Sequence, residues 1–441
     1  MRLTNVAQMA LPQGTLHSYA VRTSGVRGRA LPLSFDQRRH VGEGDRPGSW
    51  MAIAFRAPIG TDPDALAVAW HAVISRHGTL GTVFARDDAG GLTLHETEIV
   101  GGEWRQHPVP SGASTRDALR AVLDGACAPF AEPSHRLCVV LPEPGHRPGD
   151  EDGDIDAADE RPVVVLGADH AHVDMWSLLV LARDVVAMLE DDGGAAERAA
   201  SFAEHSQLLE AMPAAPEDVR SRWAEILQAG DGLMPRFPLP LGDLSVPRRE
   251  IVEVRDVLDA DETALLEEHA RAHGVRMTAC ALAVIADVTR RLADAPLRAV
   301  FPVHSRHEPR WHDSVGWFIT NSVIEIEDPT PHAGAAAVKE ALALGSHPLA
   351  PLLAPYGGMP QAPGMFAISW LDTRRLPAVR PGMSIQYVSA VIDTDGVMIW
   401  FIVNDEGLHL RCRYPDTPEA RASVGTWLDG VEHGLRGLLS S

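Results

Sequence analysis

The aliphatic run Val163-Val164-Val165-Leu166 leads directly into Asp169-His170-Ala171-His172-Val173-Asp174, and apolar periodicity then resumes through Leu178, Leu181, Val185 and Met188. A β-branched run reads as a buried strand, and the renewed spacing of three and four reads as a helix. Strand, tight turn and helix in succession constrain the chain strongly. The strand fixes the turn on one side, the helix fixes it on the other, and His170 and Asp174 sit at the corner.

With 441 residues the chain exceeds one compact core, so two domains are expected. Both halves mix strand and helix text, which predicts an α/β (α+β) architecture. The halves are expected at 1–220 and 221–441, with Pro-rich Met234–Pro247 as the linker between them and residues 1–29 as an extended lead-in. In the first half, strands are predicted at Trp50–Ala57, Thr82–Arg86, Leu92–Glu98, Arg136–Leu141 and Val163–Leu166. Helices are predicted at Pro63–His77 and Thr115–Ala126, and helical text continues through Ala195–Gln228. The charged stretch Glu143–Glu160 reads as a solvated loop. In the second half a capping-box spacing at Asp259 and Glu262 opens a helix. A more apolar helix covers Thr278–Leu292, a last one covers Pro418–Leu438, and strand text includes Ser384–Ile392.

Composition excludes several classes. The net charge of −21 argues against nucleic acid and against anionic membranes. Lys339 is the sole lysine, so there is no Gly-x-x-x-x-Gly-Lys phosphate loop, and a Gly-x-Gly-x-x-Gly turn is also missing. Cys127, Cys138, Cys280 and Cys412 lie far apart, which fits a reducing compartment better than a disulfide framework or zinc site. Apolar runs are too short to span a membrane, and Met1–Gln13 lacks a signal-peptide core. A cytoplasmic protein is expected.

Four segments together resemble the condensation-domain superfamily, whose fold is that of chloramphenicol acetyltransferase. Asp169–Met175 is similar to its His-His-x-x-x-Asp-Gly signature, and Pro32–Gln37 to its opening Pro-Leu-Ser/Thr-x-x-Gln. Ser75–Phe84 resembles the Arg-His-x-x-Leu-Arg-Thr-x-Phe element, and Ser314–Asn321 the Val-Gly-x-Phe-x-Asn element. Phe366–Arg374 and Val397–Tyr414 look most like the freestanding polyketide-associated (Pap) acyltransferases. Three positions depart from the family: Asp169 stands for the first His, Met175 for the usual Gly, and Gly81 for an Arg.

The resemblance implies two chloramphenicol-acetyltransferase-like subdomains arranged as a V, with a tunnel between them and His170 near its centre. It implies an acyltransferase that moves an acyl group from a carrier-protein or coenzyme A thioester to a hydroxyl or amine acceptor, in natural-product or lipid biosynthesis. Histidine suits removal of the acceptor's proton, because its ordinary pKa of about 6.5 lies near working pH. His170 is therefore the expected general base. The resemblance further implies that Asp174 pairs with an arginine from the second half, and Arg306 is the candidate. Trp176 and Asn321 are expected to bind substrate. An acyl or peptidyl carrier protein is the expected partner. The donor would carry phosphopantetheine, and no bound cofactor or metal is expected.

Three other readings compete. His170 and His172 alternate on strand-like text and would point the same way, with Asp174 as a third metal ligand. Asp169-x-x-x-x-Asp174-x-x-Ser177 fits the pattern of heterocyclisation domains, which lack a His at position 170. A degenerate relative that only recruits partner enzymes would tolerate Met175 and Gly81.

Overall fold

The strand Val163–Asp169 is buried along its whole length and pairs antiparallel with Trp50–Arg56 on one side and His135–Pro142 on the other. A strand covered on both faces has no solvent side to alternate with, which explains its unbroken aliphatic text. The coordinates are a computed structural model, which describes residues 2–109, 112–142, 161–190, 197–377, 379–380 and 382–440. The expected loop at Glu143–Glu160 lies outside the described residues.

The chain forms two compact units. The first comprises Met1–Glu210, Arg306–Phe318 and Leu376–Val391; the second comprises Ala211–Ser305, Ile319–Arg375 and Ile392–Ser441. They interleave along the chain, unlike a single division at residue 220.

The first unit holds an eight-stranded sheet in the order Arg2–Asn5, Gln386–Ser389, Trp50–Arg56, Val163–Asp169, His135–Pro142, Gly14–Leu31, Leu92–His107 and Thr82–Arg86. The expected lead-in is thus a correction: Gly14–Leu31 is a long strand paired with both His135–Pro142 and Leu92–His107. Its first half is largely buried and its second half largely exposed, so only part of it carries apolar text. Helices pack over the central strands. The helix Thr115–Ala126 lies so close that a Cβ on Gly167 would sit 2.6 Å from Leu123 Cδ2. Glycine is what lets the helix reach the sheet there.

His135 is buried beside this core. Its Nε2–H donates to the Leu80 carbonyl at 3.0 Å, while Nδ1 finds no hydrogen-bond partner among the described residues. Burial, with His172 adding to it, pushes the ring down to about 3. The folded state therefore refuses a proton that the unfolded chain accepts near 6.5. His135 costs nothing above that pH, and its neutral form becomes a liability as pH falls from about 6.5 toward 3, with a slope approaching 1.4 kcal/mol per pH unit. Urea unfolding at pH 7 and pH 5 is expected to show this loss. His135→Gln, which keeps an N–H for Leu80, should flatten it.

The second unit carries a seven-stranded sheet in the order Ile319–Ile326, Leu297–His304, Phe366–Asp372, Val397–Asn404, Gly407–Pro415, Arg248–Asp259 and Asp393–Thr394. Ile399, Phe401, Leu408 and Leu410 share one buried core with Ile285 and Val288 of helix Met277–Ala293 and Val424 and Trp427 of helix Pro418–Gly437. Asp259 and Glu262 form the capping box reciprocally, at 2.8 and 3.1 Å. Two expectations are corrected. The Pro-rich Met234–Pro247 is no linker, because Phe237 and Leu241 are buried in this core. The single strand expected at Ser384–Ile392 is Gln386–Ser389, in the first unit's sheet, with Asp393–Thr394 following in the second unit's. Among the described residues no helix is long and apolar enough to cross a membrane.

Candidate active site

The turn after Val163–Asp169 is built from its backbone outward. His170 N–H donates to Ser49 O at 3.0 Å, and His172 N–H closes back on Asp169 O at 2.9 Å. Helix Met175–Glu190 then begins, with Asp174 as its cap: Oδ1 accepts from Ser177 N–H at 2.7 Å, and the Asp174 carbonyl accepts from Leu178 N–H at 3.0 Å. An aspartate there satisfies an orphan N–H and places negative charge at the positive helix end.

The same carboxylate is fully buried and meets Arg306. Arg306 Nη2 donates to Asp174 Oδ1 at 2.9 Å, to Oδ2 at 3.1 Å and to Ser177 Oγ at 2.8 Å. Its Nη1 donates to the carbonyls of Trp311 and Ser314, each at 2.7 Å. The guanidinium also lies 3.8 Å from the Phe318 ring centroid. Burial pushes Arg306 below its ordinary value, and Asp174 opposes that; a guanidinium remains charged at any working pH. This arginine belongs to the first unit although it stands far along the chain.

The segments of the sequence pattern bond to this turn or to one another around it. Gln37 Nε2–H donates to Ala171 O at 2.9 Å. Thr79 Oγ1–H donates to Val315 O at 2.7 Å. Ser177 Oγ–H donates to Gly316 O at 2.8 Å and accepts from Gly316 N–H at 3.0 Å. Phe318 N–H donates to Asp174 Oδ2 at 3.0 Å. Behind them, Asp184 accepts from His77 Nε2 at 2.7 Å and pairs with Arg76 at 2.9 Å and Arg183 at 2.8 Å. This buried cluster is what the Arg-His pair of Ser75–Phe84 does. Burial is the main cause holding His77 below the ordinary histidine value, against the pull of Asp184.

Gly316 has a steric reason for being glycine. A Cβ there would stand 2.3 Å from Phe202 Cγ, inside a cluster with Trp311 and Phe318. Gly316→Ala is expected to lower unfolding free energy by about 1–3 kcal/mol in a urea titration. Adding Phe202→Leu should recover part of that loss, since the clash is with the ring.

His170 itself is half-buried. Its Nδ1–H donates to the Val173 carbonyl at 2.8 Å, so the lone pair sits on Nε2. Burial, reinforced by His40, pushes its pKa below the ordinary value, with the Val173 carbonyl and Asp169 acting in the opposite sense. Asp174 therefore does not orient the His170 ring; the main chain does. His172 is also buried, with its ring edge against Phe84 at a centroid distance of 4.9 Å. The alternation that would aim it beside His170 does not apply, because the strand ends at Asp169 and both histidines follow it. Among the described residues no group of three or more His, Cys, Asp or Glu is placed to hold a metal ion.

Asp169 accepts from Ala171 N–H at 2.9 Å and from His40 Nε2–H at 3.1 Å. Burial pushes its pKa up, but the hydrogen bonds and His40 outweigh that and leave it lowered. Trp176 Nε1–H donates to His312 O at 2.8 Å, and its ring centroid is 5.4 Å from the Arg306 guanidinium, which ties it to the Arg306 loop. Asn321 lies in the second unit, on strand Ile319–Ile326, with Nδ2 3.8 Å from Met359 Sδ. Sequence reasoning missed His40 and the contact of Trp317 with His170. No periodicity signals either one: Trp317 falls inside Ser314–Asn321, and His40 lies three residues past Pro32–Gln37.

No family model matches the chain. A trehalose-2-sulfate acyltransferase, PapA2 of Mycobacterium tuberculosis, is 26% identical over 227 residues, which is 48% of this chain and 48% of that protein. The match thus spans about half the length of the curated PapA2 relatives. A nonribosomal peptide synthetase of Omphalotus olearius, fso1, is 25% identical over 307 residues, 63% of this chain and 6% of that much longer protein. A solved PapA2 acyl transferase superposes with a TM-score of 0.81, covering 100% of both chains at 19% identity. The first condensation domain of the CDA synthetase gives 0.69, covering 95% of this chain and 97% of that one at 15% identity. The chain has the fold shared by PapA2 and the condensation domains. Within that fold, the other three matching segments each touch the turn Asp169–Met175, through Gln37, Phe84 and Phe318.

Proposed function

We propose that this protein is an acyltransferase, moving an acyl group from a thioester to a hydroxyl or amine acceptor with His170 as general base. The observation that carries the reading is the His170 tautomer: with Nδ1–H held by Val173 O, Nε2 presents a lone pair on a turn braced by Gln37, Phe318 and Arg306. The likeness to PapA2, named an acyltransferase, and to condensation domains supports it.

Nε2 takes the acceptor's proton as its oxygen or nitrogen attacks the thioester carbonyl carbon. The tetrahedral adduct collapses, the C–S bond breaks, and the imidazolium returns the proton to the leaving thiolate. The protein itself need not become acylated. Asp174 and Arg306 keep the turn in place and take no part in proton transfer.

The donor carries phosphopantetheine, as coenzyme A or on an acyl or peptidyl carrier protein, and the acceptor is a small molecule. All four cysteines are buried and unpaired, which supports a reducing, cytoplasmic setting. The test offers acyl-coenzyme A and acyl-carrier donors side by side, with a panel of polyols and amines, reading thiol release and product mass. Transfer by the wild type and its loss in His170→Ala are expected. Equal transfer by both proteins would overturn the assignment of the base.

A further inference from the structure

The indole of Trp317 stacks on the His170 imidazole, with centroids 4.1 Å apart and planes 15° from parallel. Trp317 occupies the variable position between Gly316 and Phe318, and it packs against the clusters around Leu33, Val41 and Phe84 and around Phe202, Trp311 and Phe318. Its own orientation is braced. The His40 ring meets it edge to face, at 5.3 Å and 76°. His40 is held at both nitrogens, since Nδ1 accepts from Arg46 Nη2 at 3.0 Å and Nε2–H donates to Asp169 at 3.1 Å.

We propose that Trp317 is a positioning residue for His170: its indole face fixes the imidazole plane and stabilises the imidazolium formed when Nε2 takes the acceptor's proton. This inference rests on the acyltransferase reading for its purpose, but not for its physics. A ring stacked face to face leaves the in-plane directions clear, one for the Val173 carbonyl and one for the Nε2 lone pair. The negative face of an indole attracts a cation more than a neutral ring. The stack therefore favours the protonated state reached during transfer over the resting state, which is the condition for accelerating a step.

The charged and titratable groups around His170 are few. His40 and, behind it, Arg46 face it from helix Phe35–Gly42 and the residues that follow. Asp169 and His172 flank it on its own turn, and the Asp174 carboxylate is occupied by Arg306. With burial and His40 both disfavouring the imidazolium, the indole face adds to the compensating attractions of the Val173 carbonyl and Asp169.

The test is an NMR titration of the full chain carrying ¹³Cε1-labelled histidine, with the His170 signal assigned through His170→Gln. Trp317→Phe keeps an aromatic face, and Trp317→Leu keeps apolar bulk without one. His170 is expected to titrate close to wild type in Trp317→Phe and about half a unit to one unit lower in Trp317→Leu. The pH at which kcat/KM rises should move with it, which a merely structural defect would not cause. If Trp317→Leu does not fold, fluorinated tryptophan, which weakens the indole face without changing its shape, is expected to lower the His170 titration point in the otherwise unaltered chain. A His170 titration point unchanged or raised, in Trp317→Leu or with fluorinated tryptophan, overturns the proposal. The titration needs no substrate, so it stands apart from the transfer assay: His170→Ala that still transfers would sink the functional reading and leave the stack intact.

Discussion

Replacing His170 with alanine is expected to lower acyl transfer roughly 100- to 10,000-fold, the range general-base catalysis supplies. The protein should stay folded. Among the described residues the side chain makes one neutral hydrogen bond, to Val173 O, worth about 1 kcal/mol, and the turn keeps its backbone bonds to Ser49 and Asp169. The informative measurement pairs kcat/KM with an unfolding titration on the same preparation. A large kinetic loss with a small shift in unfolding midpoint is the signature of a group that handles the proton. Burial has already lowered the His170 pKa, so the acid limb of the wild-type pH profile should reach half-height below the pH where free histidine titrates.

The second large effect is expected at Arg306. Arg306→Ala leaves the buried Asp174 carboxylate without its ion pair, which costs about 3–5 kcal/mol in such settings. It also strands the Trp311 and Ser314 carbonyls and removes a donor from Ser177 Oγ. Asp174→Ala should cost a similar amount, because it leaves a buried guanidinium. Combining Arg306→Met with Asp174→Leu should cost less than the sum, since the pair acts as a unit. Urea unfolding of the single and double variants decides this. Strict additivity would mean that the pair contributes nothing as a pair.

What the sequence made legible follows the physics of each element. The helices Pro63–Arg76 and Thr115–Ala126 and the strands Thr82–Arg86 and Val163–Asp169 carry local signals of capping, periodicity or β-branching, and they stand where those signals place them. Gly14–Leu31 escaped because its distal half is solvent-exposed, which leaves no apolar alternation to read. The Pro-rich stretch misled for the opposite reason: proline there marks an irregular path, yet Phe237 and Leu241 anchor it in a core. At the site, the resemblance named the His170, Asp174 and Arg306 positions before any contact was visible. The brace formed by His40, Asp169 and Trp317 is wholly tertiary. Its members are far apart along the chain, so no local periodicity betrays their contact.

The interleaving of the first unit bears on how the chain is made. During synthesis, the segment through Glu210 leaves the ribosome well before Arg306, and Gln386 of the sheet follows later still. A nascent chain in that interval holds an aspartate destined for the interior with no cation to meet it, and a sheet still waiting for one of its inner strands. Co-translational folding of the amino-terminal portion is therefore held open until most of the polypeptide exists, and a fragment cut at residue 220 would inherit that unfinished state permanently.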